Sequence, residues 1–539
     1  MQDFKIGGSQ MKFKFLKRIF CVLFSLCLLL SFVSCKKADT ESTVSEEIVY
    51  EYIDETENAE SDNTDSTSTE SQNNSKDNAS SSTPAVTNSK KVYKSADELF
   101  EADPAVGTIV NLDIKPYAKG EYKVVTGSYV ANDVSIVYIS SGKYAVRNVS
   151  EINAWVKNVP YGSFIAHQGF NGYINTADNT APGTYPSNTK EAVDHAIRLG
   201  YKMVEIDITI TKDKVWVVDH DANTAAINTN SYDEVKNFTN MLSGVITKKN
   251  ILRKWRTGGY WEFSNQIAKE KTPTLESVFQ YMQSNKAYLI LDNKSLNHHK
   301  FTDEEYDILA ELIKKYKMEN RCAVYAECLK PISDRVNGVI LAYSALPHSN
   351  EESAYNIMSS YGNFMLSVSK TNLSSYTAFA KKYNVPLAVW VEDEYYEADK
   401  LFASGANYIL TNYCLPANAN LSDYKEIKSF SLADFKDNKQ SGDFNASLTL
   451  SYKDLGLHAG DIIVLSAECS NSGGEAYIRV GASETLEAKS VISGKRTVYY
   501  IVNDSYAHDL EANFGVNGGS ANFTNVKVSI MRETARGEK

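Results

Sequence analysis

The chain of 539 residues is poor in cysteine, with seven in all. Three of these lie near the amino terminus, and Cys322, Cys328, Cys414 and Cys469 lie further on. An extended segment would hold Cys322 and Cys328 roughly 20 Å apart, whereas a disulfide requires α-carbons within about 7 Å. We therefore expect no disulfide between these two residues and no cysteine-based metal site.

A surplus of positive charge is also missing, because 56 Lys and Arg stand against 67 Asp and Glu, a net charge of −11. Proteins that bind nucleic acid present a basic face, so this balance argues against nucleic acid as a partner. Hydrophobic residues make up 43% of the chain, enough for substantial cores. The length predicts two to four domains.

The apolar run near the amino terminus, "CVLFSLCLLLSFV", is too short for a typical membrane-spanning helix. It follows a cluster of Lys and Arg, and this order predicts a secretion signal over residues 1–35. The run ends in Phe-Val-Ser-Cys, which resembles the lipobox of bacterial lipoproteins. The resemblance implies that Cys35 is acylated and anchors the protein outside a bacterial membrane, with a plain signal peptide cut elsewhere as the alternative.

Residues 36–91 consist mainly of Ser, Thr, Asn, Asp and Glu, as in "ESDNTDSTSTESQNNSKDNASSST". A segment of this composition cannot bury a core and is predicted to be disordered. As a random coil its ends would lie roughly 40 Å apart. We expect it to act as a tether between the membrane surface and the folded part.

Three folded blocks follow. Residues 92–160 read as a small β-rich module with short strands separated by Gly and Asn. Over residues 161–420, eight apolar runs alternate with helical patterns, which predicts an α/β fold, a (β/α)8 TIM barrel. Residues 421–539 show alternating strands without a long helix and predict a β-sandwich or jelly roll. That block looks like the carbohydrate-binding modules of secreted enzymes, although a sandwich that only caps the barrel is an equal alternative.

The stretch "YKMVEIDITITKDKVWVVDHD" alternates regularly, turns at a Lys-Asp-Lys and returns to a His-Asp. Residues two apart in a strand share a face, so Glu205 and Asp207 should project together. Counting outward from the turn near Asp213, His220 returns level with Asp207. The pattern predicts a hairpin that brings a His beside two carboxylates, and the plain alternative is a hairpin with charges on its solvent face.

Further polar residues end other predicted barrel strands, where the active site of this fold forms. His167 follows "FIA", Asp292 ends "YLILD", and Lys294 lies two residues beyond on the same face. Three converging carboxylates would repel one another unless Mg²⁺ or Ca²⁺, which prefer oxygen ligands, lay between them. A cation and a Lys suit a phosphate diester, and two His can serve as general acid and base.

Several motifs resemble the glycerophosphodiester phosphodiesterase family in order and spacing across nearly the whole middle block. They are His-Gln-Gly from 167, Pro-Ser-Asn-Thr from 186, Glu-Ile-Asp from 205, Asp-His-Asp from 219, Pro-Thr-Leu-Glu-Ser-Val from 273, Leu-Asp-Asn-Lys from 291, Val-Trp-Val from 389 and Ile-Leu-Thr-Asn from 409. The resemblance implies a (β/α)8 barrel and metal-dependent hydrolysis of glycerophosphodiesters to sn-glycerol 3-phosphate and an alcohol. By position it implies these roles: acid and base, His167 and His220; Ca²⁺ or Mg²⁺ ligands, Glu205, Asp207 and Asp292; substrate contacts, Lys294, Gln168 and Trp390.

The sequence departs from the family pattern at four positions. Gln168 stands where an Arg is usual, Ser187 where a Glu is usual, and Asp292 where the family has a Glu. Asn412 replaces a common Asp after the last strand. Loss of the Arg removes a bidentate phosphate clamp, so a larger diester, such as one derived from teichoic acid or lipid, becomes plausible.

Two other functions remain open from the sequence. The first is a surface binding protein that keeps the barrel but has lost turnover through Gln168 and Ser187. The second is a cell-wall glycosidase, because barrels with appended sandwiches are common among such enzymes. Glycosidases need two carboxylates about 5–10 Å apart and neither a metal nor a pair of His, so His167 and His220 disfavour this alternative.

Overall fold

The computed structural model describes residues 91–129, 135–170, 187–220, 224–236, 239–240, 245–246, 272–294, 299–325, 329–439, 442–458, 460–481, 487–502 and 509–534. The predicted signal peptide, the lipidation site Cys35 and the tether up to residue 90 lie outside these residues. Within the described part, no helix combines the length and apolar character needed to cross a membrane.

An amino-terminal module is built around one five-stranded sheet with the order β1-β2-β3-β5-β4. A short helix, α1 (Ala96–Ala102), follows the first strand. The strands are β1 (Val92–Tyr93), β2 (Ile109–Leu112), β3 (Gly120–Thr126), β4 (Ile136–Ser140) and β5 (Lys143–Arg147). The module contacts the barrel through Tyr129, whose hydroxyl accepts a hydrogen bond from Asn356 Nδ2 at 3.1 Å.

The middle block is a closed barrel of eight parallel strands, which confirms the predicted (β/α)8 fold. Each of the eight apolar runs forms one strand: β6 (Ser163–Ala166), β7 (Met203–Ile210), β11 (Tyr288–Asn293), β12 (Cys322–Tyr325), β13 (Ile340–Tyr343), β14 (Phe364–Ser369), β15 (Leu387–Trp390) and β16 (Tyr408–Thr411). The ring closes because β11 pairs with β7 as well as with β12. A ninth strand, β8 (Trp216–Val218), pairs antiparallel with the outer end of β7.

The barrel strands are apolar on both faces because one face packs inside the barrel and the other packs against helices. The interior is filled by side chains such as Met203, Ile290 and Met365. Trp155, in the 3₁₀ turn Ala154–Lys157, packs against Tyr288 and Tyr408, the first residues of β11 and β16. Trp155 therefore plugs the amino-terminal end of the barrel.

Helices connect most of the barrel strands, and capping residues define where several of them begin. Thr189 and Thr302, for example, accept hydrogen bonds from the first-turn amides of the helices that follow them. The described helices are α2 (Lys190–Leu199), α3 (Thr224–Thr229), α4 (Tyr232–Val235), α5 (Leu275–Met282), α6 (Asp303–Lys315), α7 (Leu329–Ser333), α8 (Glu351–Ser360), α9 (Leu373–Tyr383) and α10 (Tyr395–Ala403). Two short strands, β9 (Thr239–Asn240) and β10 (Val245–Ile246), form a separate pair.

The carboxyl-terminal block is a sandwich of two four-stranded sheets, ordered β17-β24-β19-β22 and β18-β23-β20-β21. This strand order is that of an eight-stranded jelly roll, which decides between the two folds predicted for this block. Its strands are β17 (Tyr424–Ser431), β18 (Phe444–Leu450), β19 (Ile462–Ser472), β20 (Glu475–Gly481), β21 (Glu487–Val491), β22 (Gly494–Ile501), β23 (Leu510–Asn517) and β24 (Ser520–Glu533).

The jelly roll is joined to the barrel by half-buried polar contacts as well as by apolar packing. Arg198 of α2 donates to Asp423 at 2.9 Å and to Glu533 at 3.2 Å. Asp399 of α10 accepts from Ser490 of β21 at 2.6 Å and also pairs with Arg496. The two folds therefore share an interface along the helices α2 and α10.

Candidate active site

The hairpin predicted from the sequence is present at the mouth of the barrel. Asp207 of β7 lies beside Asp292 of β11 in register, and β7 then continues beyond the barrel to pair with β8. Val218 pairs with Ile208, and the Asp219 amide donates to the Asp207 carbonyl at 3.0 Å. Antiparallel pairing thus returns His220 to the level of the carboxylates.

Three carboxylates converge at the carboxyl ends of β7 and β11. One carboxylate oxygen from each of Glu205, Asp207 and Asp292 lies within 4.8 Å of the other two. Glu205 and Asp207 are only 1% and 0% exposed, and Glu205 Oε1 and Asp207 Oδ1 accept no hydrogen bond from the described part of the chain. Buried carboxylate oxygens without donors are costly, so a cation placed against these two oxygens would be stabilising.

The electrostatics of the site follow from this convergence. Burial raises the pKa of Glu205 well above its ordinary value, and the charges of Asp207 and Asp292 raise it further. Desolvation also raises the pKa of Asp292, against the opposing effect of Lys294. Burial would lower the pKa of Lys294, but the three carboxylates outweigh it and raise that pKa above its usual range.

Lys294 is held directly over the acidic cluster. Its Nζ lies 2.9 Å from Asp292 Oδ2 and 3.4 Å from Asp207 Oδ1. A single ammonium group cannot balance three carboxylates, so the cluster keeps a net negative charge when all three are ionised. The arrangement suits a divalent cation bound to oxygen ligands, with Lys294 at its edge.

Two backbone segments orient the carboxylates. The Gln168 amide donates to Glu205 Oε2 at 2.8 Å from a left-handed backbone conformation, with φ of 52°. Asn188 forms a reciprocal pair with Asp207: its Nδ2 donates to Asp207 Oδ2 at 2.6 Å, and the Asp207 amide donates to Asn188 Oδ1 at 2.9 Å. These bonds leave Glu205 Oε1 and Asp207 Oδ1 available to a cation.

His167 follows β6 and faces the same cluster. Its Nε2 lies 3.8 Å from Glu205 Oε2, and its Nδ1 lies 2.7 Å from Asn412 Oδ1. The Asn412 amide is itself oriented by Asp393, which accepts from Asn412 Nδ2 at 2.9 Å and from the Asn412 backbone amide at 2.6 Å. Because Asn412 Nδ2 is committed to Asp393, Asn412 Oδ1 accepts a hydrogen bond from the N–H at His167 Nδ1, and Nε2 is left to face the site.

The other predicted site residues lie at different distances from this centre. His220 lies at the end of the hairpin, with its Nδ1 buried and without a hydrogen-bond partner among the described residues. The side chain of Gln168 is buried, at 5% exposure. Trp390 is the last residue of β15, and β16 and β6 lie between β15 and β7 in the barrel. The Trp390 side chain is 44% exposed. It therefore belongs to the rim of the mouth and not to the carboxylate cluster.

Sequence reasoning assigned no role to Asn188 or Asp393, and it treated Asn412 only as a departure from a pattern. Asn188 lies within one of the quoted motifs, and its φ of 58° is unusual outside glycine. Asp393 follows the seventh barrel strand, and a polar residue at the carboxyl end of a barrel strand indicates a candidate site residue. Neither signal identifies a partner, which for Asp393 is Asn412, 19 residues further along the chain.

With this geometry established, comparison with known proteins is informative. A sequence model of the Glycerophosphoryl diester phosphodiesterase family matches residues 167–415. The matched segment begins at His167 and includes every carboxylate of the cluster. Residues 167–415, which form most of the barrel, are therefore similar in sequence to this family.

Three relatives illustrate the extent of this similarity. YhdW of Bacillus subtilis (strain 168), which has the provisional name glycerophosphodiester phosphodiesterase, is 32% identical over 116 residues, covering 22% of this chain and 38% of YhdW. A phosphodiesterase from Oleispira antarctica, solved in complex with the product sn-glycerol-3-phosphate, is 18% identical with a TM-score of 0.35, covering 47% of this chain and 94% of that chain. A glycerophosphodiester phosphodiesterase from Parabacteroides distasonis is 20% identical with a TM-score of 0.34, covering 46% and 92%.

Two of the departures from the family pattern are buried. Gln168 and Ser187 are 5% and 2% exposed, beside the segment that carries Asn188. Both side chains are therefore packed inside the protein next to the site. The carboxylates and His167 are held by other contacts, so the departures leave the centre of the site assembled.

Proposed function

We propose that this chain hydrolyses phosphodiesters of glycerol to sn-glycerol 3-phosphate and an alcohol. The observation that carries the proposal is the cluster at the barrel mouth, where Glu205, Asp207 and Asp292 lie together with Lys294 and His167. The match of residues 167–415 to the family model supports the reaction class. The glycosidase alternative finds less support, because a carboxylate cluster with a Lys in contact is not the pair of separated acids that glycosidases use.

We propose that Glu205, Asp207 and Asp292 hold Ca²⁺ or Mg²⁺. Three observations support a cation here. Glu205 Oε1 and Asp207 Oδ1 accept no hydrogen bond from the described residues, and one oxygen from each of the three carboxylates lies within 4.8 Å of the other two. All of these donors are oxygens, which both cations prefer. When bound, such a cation supplies charge stabilisation to the phosphate oxygens. The protein fixes two of the three ligands in advance through the Gln168 and Asn188 hydrogen bonds.

The proton transfers are assigned to His167 and His220. Asn412 Oδ1 accepts a hydrogen bond from the N–H at His167 Nδ1, so Nε2 is the atom that exchanges a proton with the reacting groups. His220 is delivered by the hairpin to the level of Asp207, with a buried Nδ1 that no described residue engages. One His takes a proton from the attacking water, and the other gives a proton to the departing alkoxide oxygen.

Lys294 is proposed to bind the phosphate group. Its ammonium is kept charged by the surrounding carboxylates, and it lies between Asp207 and Asp292 at the open end of the site. A fixed cation there attracts the diester and stabilises the negative charge that develops on its oxygens. Gln168 and the exposed Trp390 are proposed as further substrate contacts, with Trp390 reaching the alcohol portion from the rim.

We propose a cell-envelope setting for the reaction. The basic-then-apolar amino terminus and the lipobox-like Phe-Val-Ser-Cys support a protein anchored through Cys35 to the outside of a bacterial membrane. The polar segment after Cys35 would let the barrel reach substrates away from the lipid surface. Teichoic-acid-like and lipid-derived glycerophosphodiesters are therefore included among the proposed substrates.

The proposal is tested by assaying glycerol 3-phosphate release from a set of diesters, including glycerophosphocholine, glycerophosphoglycerol and poly(glycerol phosphate). Each is incubated with the metal-free protein, with added Mg²⁺ and with added Ca²⁺. Release that requires a divalent cation supports the proposal. Binding of a diester without release, in the metal-loaded protein, would favour a noncatalytic binding protein, and full activity in excess chelator would remove the metal from the mechanism.

A further inference from the structure

The last barrel strand leads directly into a segment that carries one residue of the candidate site. β16 ends at Thr411, and the next residue is Asn412, whose Oδ1 accepts a hydrogen bond from His167 at 2.7 Å. We call residues 412–419, which lead from the barrel towards the jelly roll, the exit segment. The path of the exit segment therefore sets the position of the Asn412 side chain.

The barrel closes the start of the exit segment into a tight turn. Thr411 Oγ1 donates to Asp393 Oδ1 at 3.0 Å. The same oxygen accepts from the amides of Tyr413 at 3.1 Å and Cys414 at 2.9 Å. The Cys414 carbonyl accepts from the hydroxyl of Tyr201 at 2.6 Å. Because these bonds tie successive residues to the same few atoms, the turn moves as one piece.

The jelly roll holds this turn from the other side. The Tyr413 side chain is 2% exposed, and its hydroxyl accepts a hydrogen bond from the Ile501 amide at 2.8 Å. Ile501 is the last residue of β22, an edge strand that pairs with β19 alone among the described strands. A buried backbone N–H at a sheet edge needs a partner outside the sheet. The exit segment supplies that partner.

A second tyrosine holds the exit segment further along the chain. The hydroxyl of Tyr499, in β22, donates to the Ala417 carbonyl at 3.1 Å and accepts from the Ala419 amide at 3.3 Å. Tyr499 is 5% exposed, so it is buried like Tyr413. Both tyrosine hydroxyls accept from a backbone amide across the same interface, but only Tyr413 adjoins Asn412.

We propose that Tyr413 is a positioning residue through which the jelly roll orients His167. The hydrogen bond from β22 holds Tyr413 in place, and the turn carries that position to the adjacent Asn412. Asn412 Oδ1 then fixes which His167 nitrogen bears the proton. The effect on turnover rests on the proposed function, whereas the state of His167 can be measured without turnover.

The tyrosine hydroxyl is the atom on which this coupling depends. Removing it would leave the Ile501 N–H buried without its acceptor. Such a group is costly, so the turn and β22 would shift until water or another acceptor reached it. A shift of Asn412 alters its 2.7 Å contact with His167, and small misplacements of a catalytic group have large effects on rate.

Tyr413→Phe and Tyr499→Phe form a matched pair for steady-state kinetics, with thermal unfolding as the check that both are folded at the assay temperature. Tyr413→Phe should lower kcat roughly 5- to 20-fold with little change in KM, because the proton transfer is disturbed and substrate binding is not. Tyr499→Phe should keep kcat within about 2-fold of the wild type. Equal kcat losses in the two variants, or a Tyr413→Phe variant within about 2-fold of the wild type, would overturn the proposal.

Nuclear magnetic resonance of protein labelled with ¹⁵N-histidine reports the tautomer of His167 directly. At about pH 8, with the signals assigned by their loss in His167→Ala, the wild type should show a protonated Nδ1. Tyr413→Phe should shift the Nδ1 resonance towards that of an unprotonated nitrogen, and Tyr499→Phe should not. An unchanged His167 spectrum in Tyr413→Phe would overturn the proposal. If the wild type hydrolyses no diester, the proposed function fails while this spectrum still decides the positioning role.

A measurement on the wild-type protein covers the case in which Tyr413→Phe does not fold. His458 lies in the jelly roll before β19, so its signal reports on that fold in the same labelled sample. In a urea titration, the Nδ1–H signal of His167 should be lost at the urea concentration at which His458 reaches its unfolded position. Persistence of the His167 signal after the jelly roll has unfolded would overturn the proposal.

Discussion

Replacing Glu205 with Gln should stabilise the metal-free protein and abolish its activity. Gln keeps an oxygen that accepts the Gln168 amide at its present 2.8 Å, so only the charge is lost. At a separation of 4.8 Å and an effective dielectric constant of about 20, each neighbouring carboxylate repels Glu205 by about 3.5 kcal/mol. Lys294 offsets part of this repulsion, and we expect a net gain of about 1–3 kcal/mol in the free energy of unfolding.

The stability that the metal-free protein gains from Glu205→Gln should increase with pH. Because the folded-state pKa of Glu205 is raised above its usual value of 4.5, its carboxyl favours folding while protonated, and this contribution is lost as pH rises through the folded pKa. The metal-free wild type should therefore lose stability from about pH 4.5 upwards, relative to the Gln variant. Saturating Ca²⁺ or Mg²⁺ should reverse the order, since only the wild type binds it tightly.

The assay is thermal unfolding of both proteins in chelator and in excess cation between pH 4.5 and pH 8, alongside glycerol 3-phosphate release. We expect a rise in Tm of roughly 3–9 °C for the metal-free variant at pH 8, for a domain of about 250 residues. Glu304→Gln is the control, because Glu304 is exposed and pairs with Lys214 at the surface. An unchanged or lower Tm of the metal-free Gln variant, or activity within 10-fold of wild type, would refute the reasoning.

Three further predictions concern the proton-transfer groups and the membrane anchor. His167→Ala and His220→Ala should each lower kcat at least roughly 10²-fold. The double variant should lose far less than the product of the two single losses, because the two His act as a unit. A kcat near that of the wild type in either single variant would exclude the two His as general acid and base. Asp393→Asn should lower kcat about 10-fold with little change in KM, because a donor then faces Asn412 Nδ2. The double variant Asp393→Asn, Asn412→Asp should recover activity, because it restores a match of donor and acceptor. If steady-state kinetics show no recovery in the double variant, Asp393 does not position His167 through Asn412. Cys35→Ser should release the protein from membranes in cell fractionation, and retention there would contradict lipidation.

Much of the barrel was predictable because parallel strands buried on both faces appear in sequence as short continuous apolar runs. All eight runs became strands, from Ser163–Ala166 to Tyr408–Thr411. The positions of His167, Glu205, Asp207 and Asp292 were predictable for a related reason. The fold places the carboxyl ends of its strands around one opening, so polar residues that end apolar runs are brought together.

The partners of those residues were decided only by the tertiary structure. His167 depends on Asn412, 245 residues away, and Glu205 is held by a backbone amide that carries no sequence signal. The jelly-roll strand order likewise depends on which strands become neighbours. The alternation of apolar and polar residues along a strand fixes which face a side chain takes, because that depends on local backbone geometry. The atom that it meets across the sheet or barrel depends on register and packing between distant segments, which local periodicity does not contain.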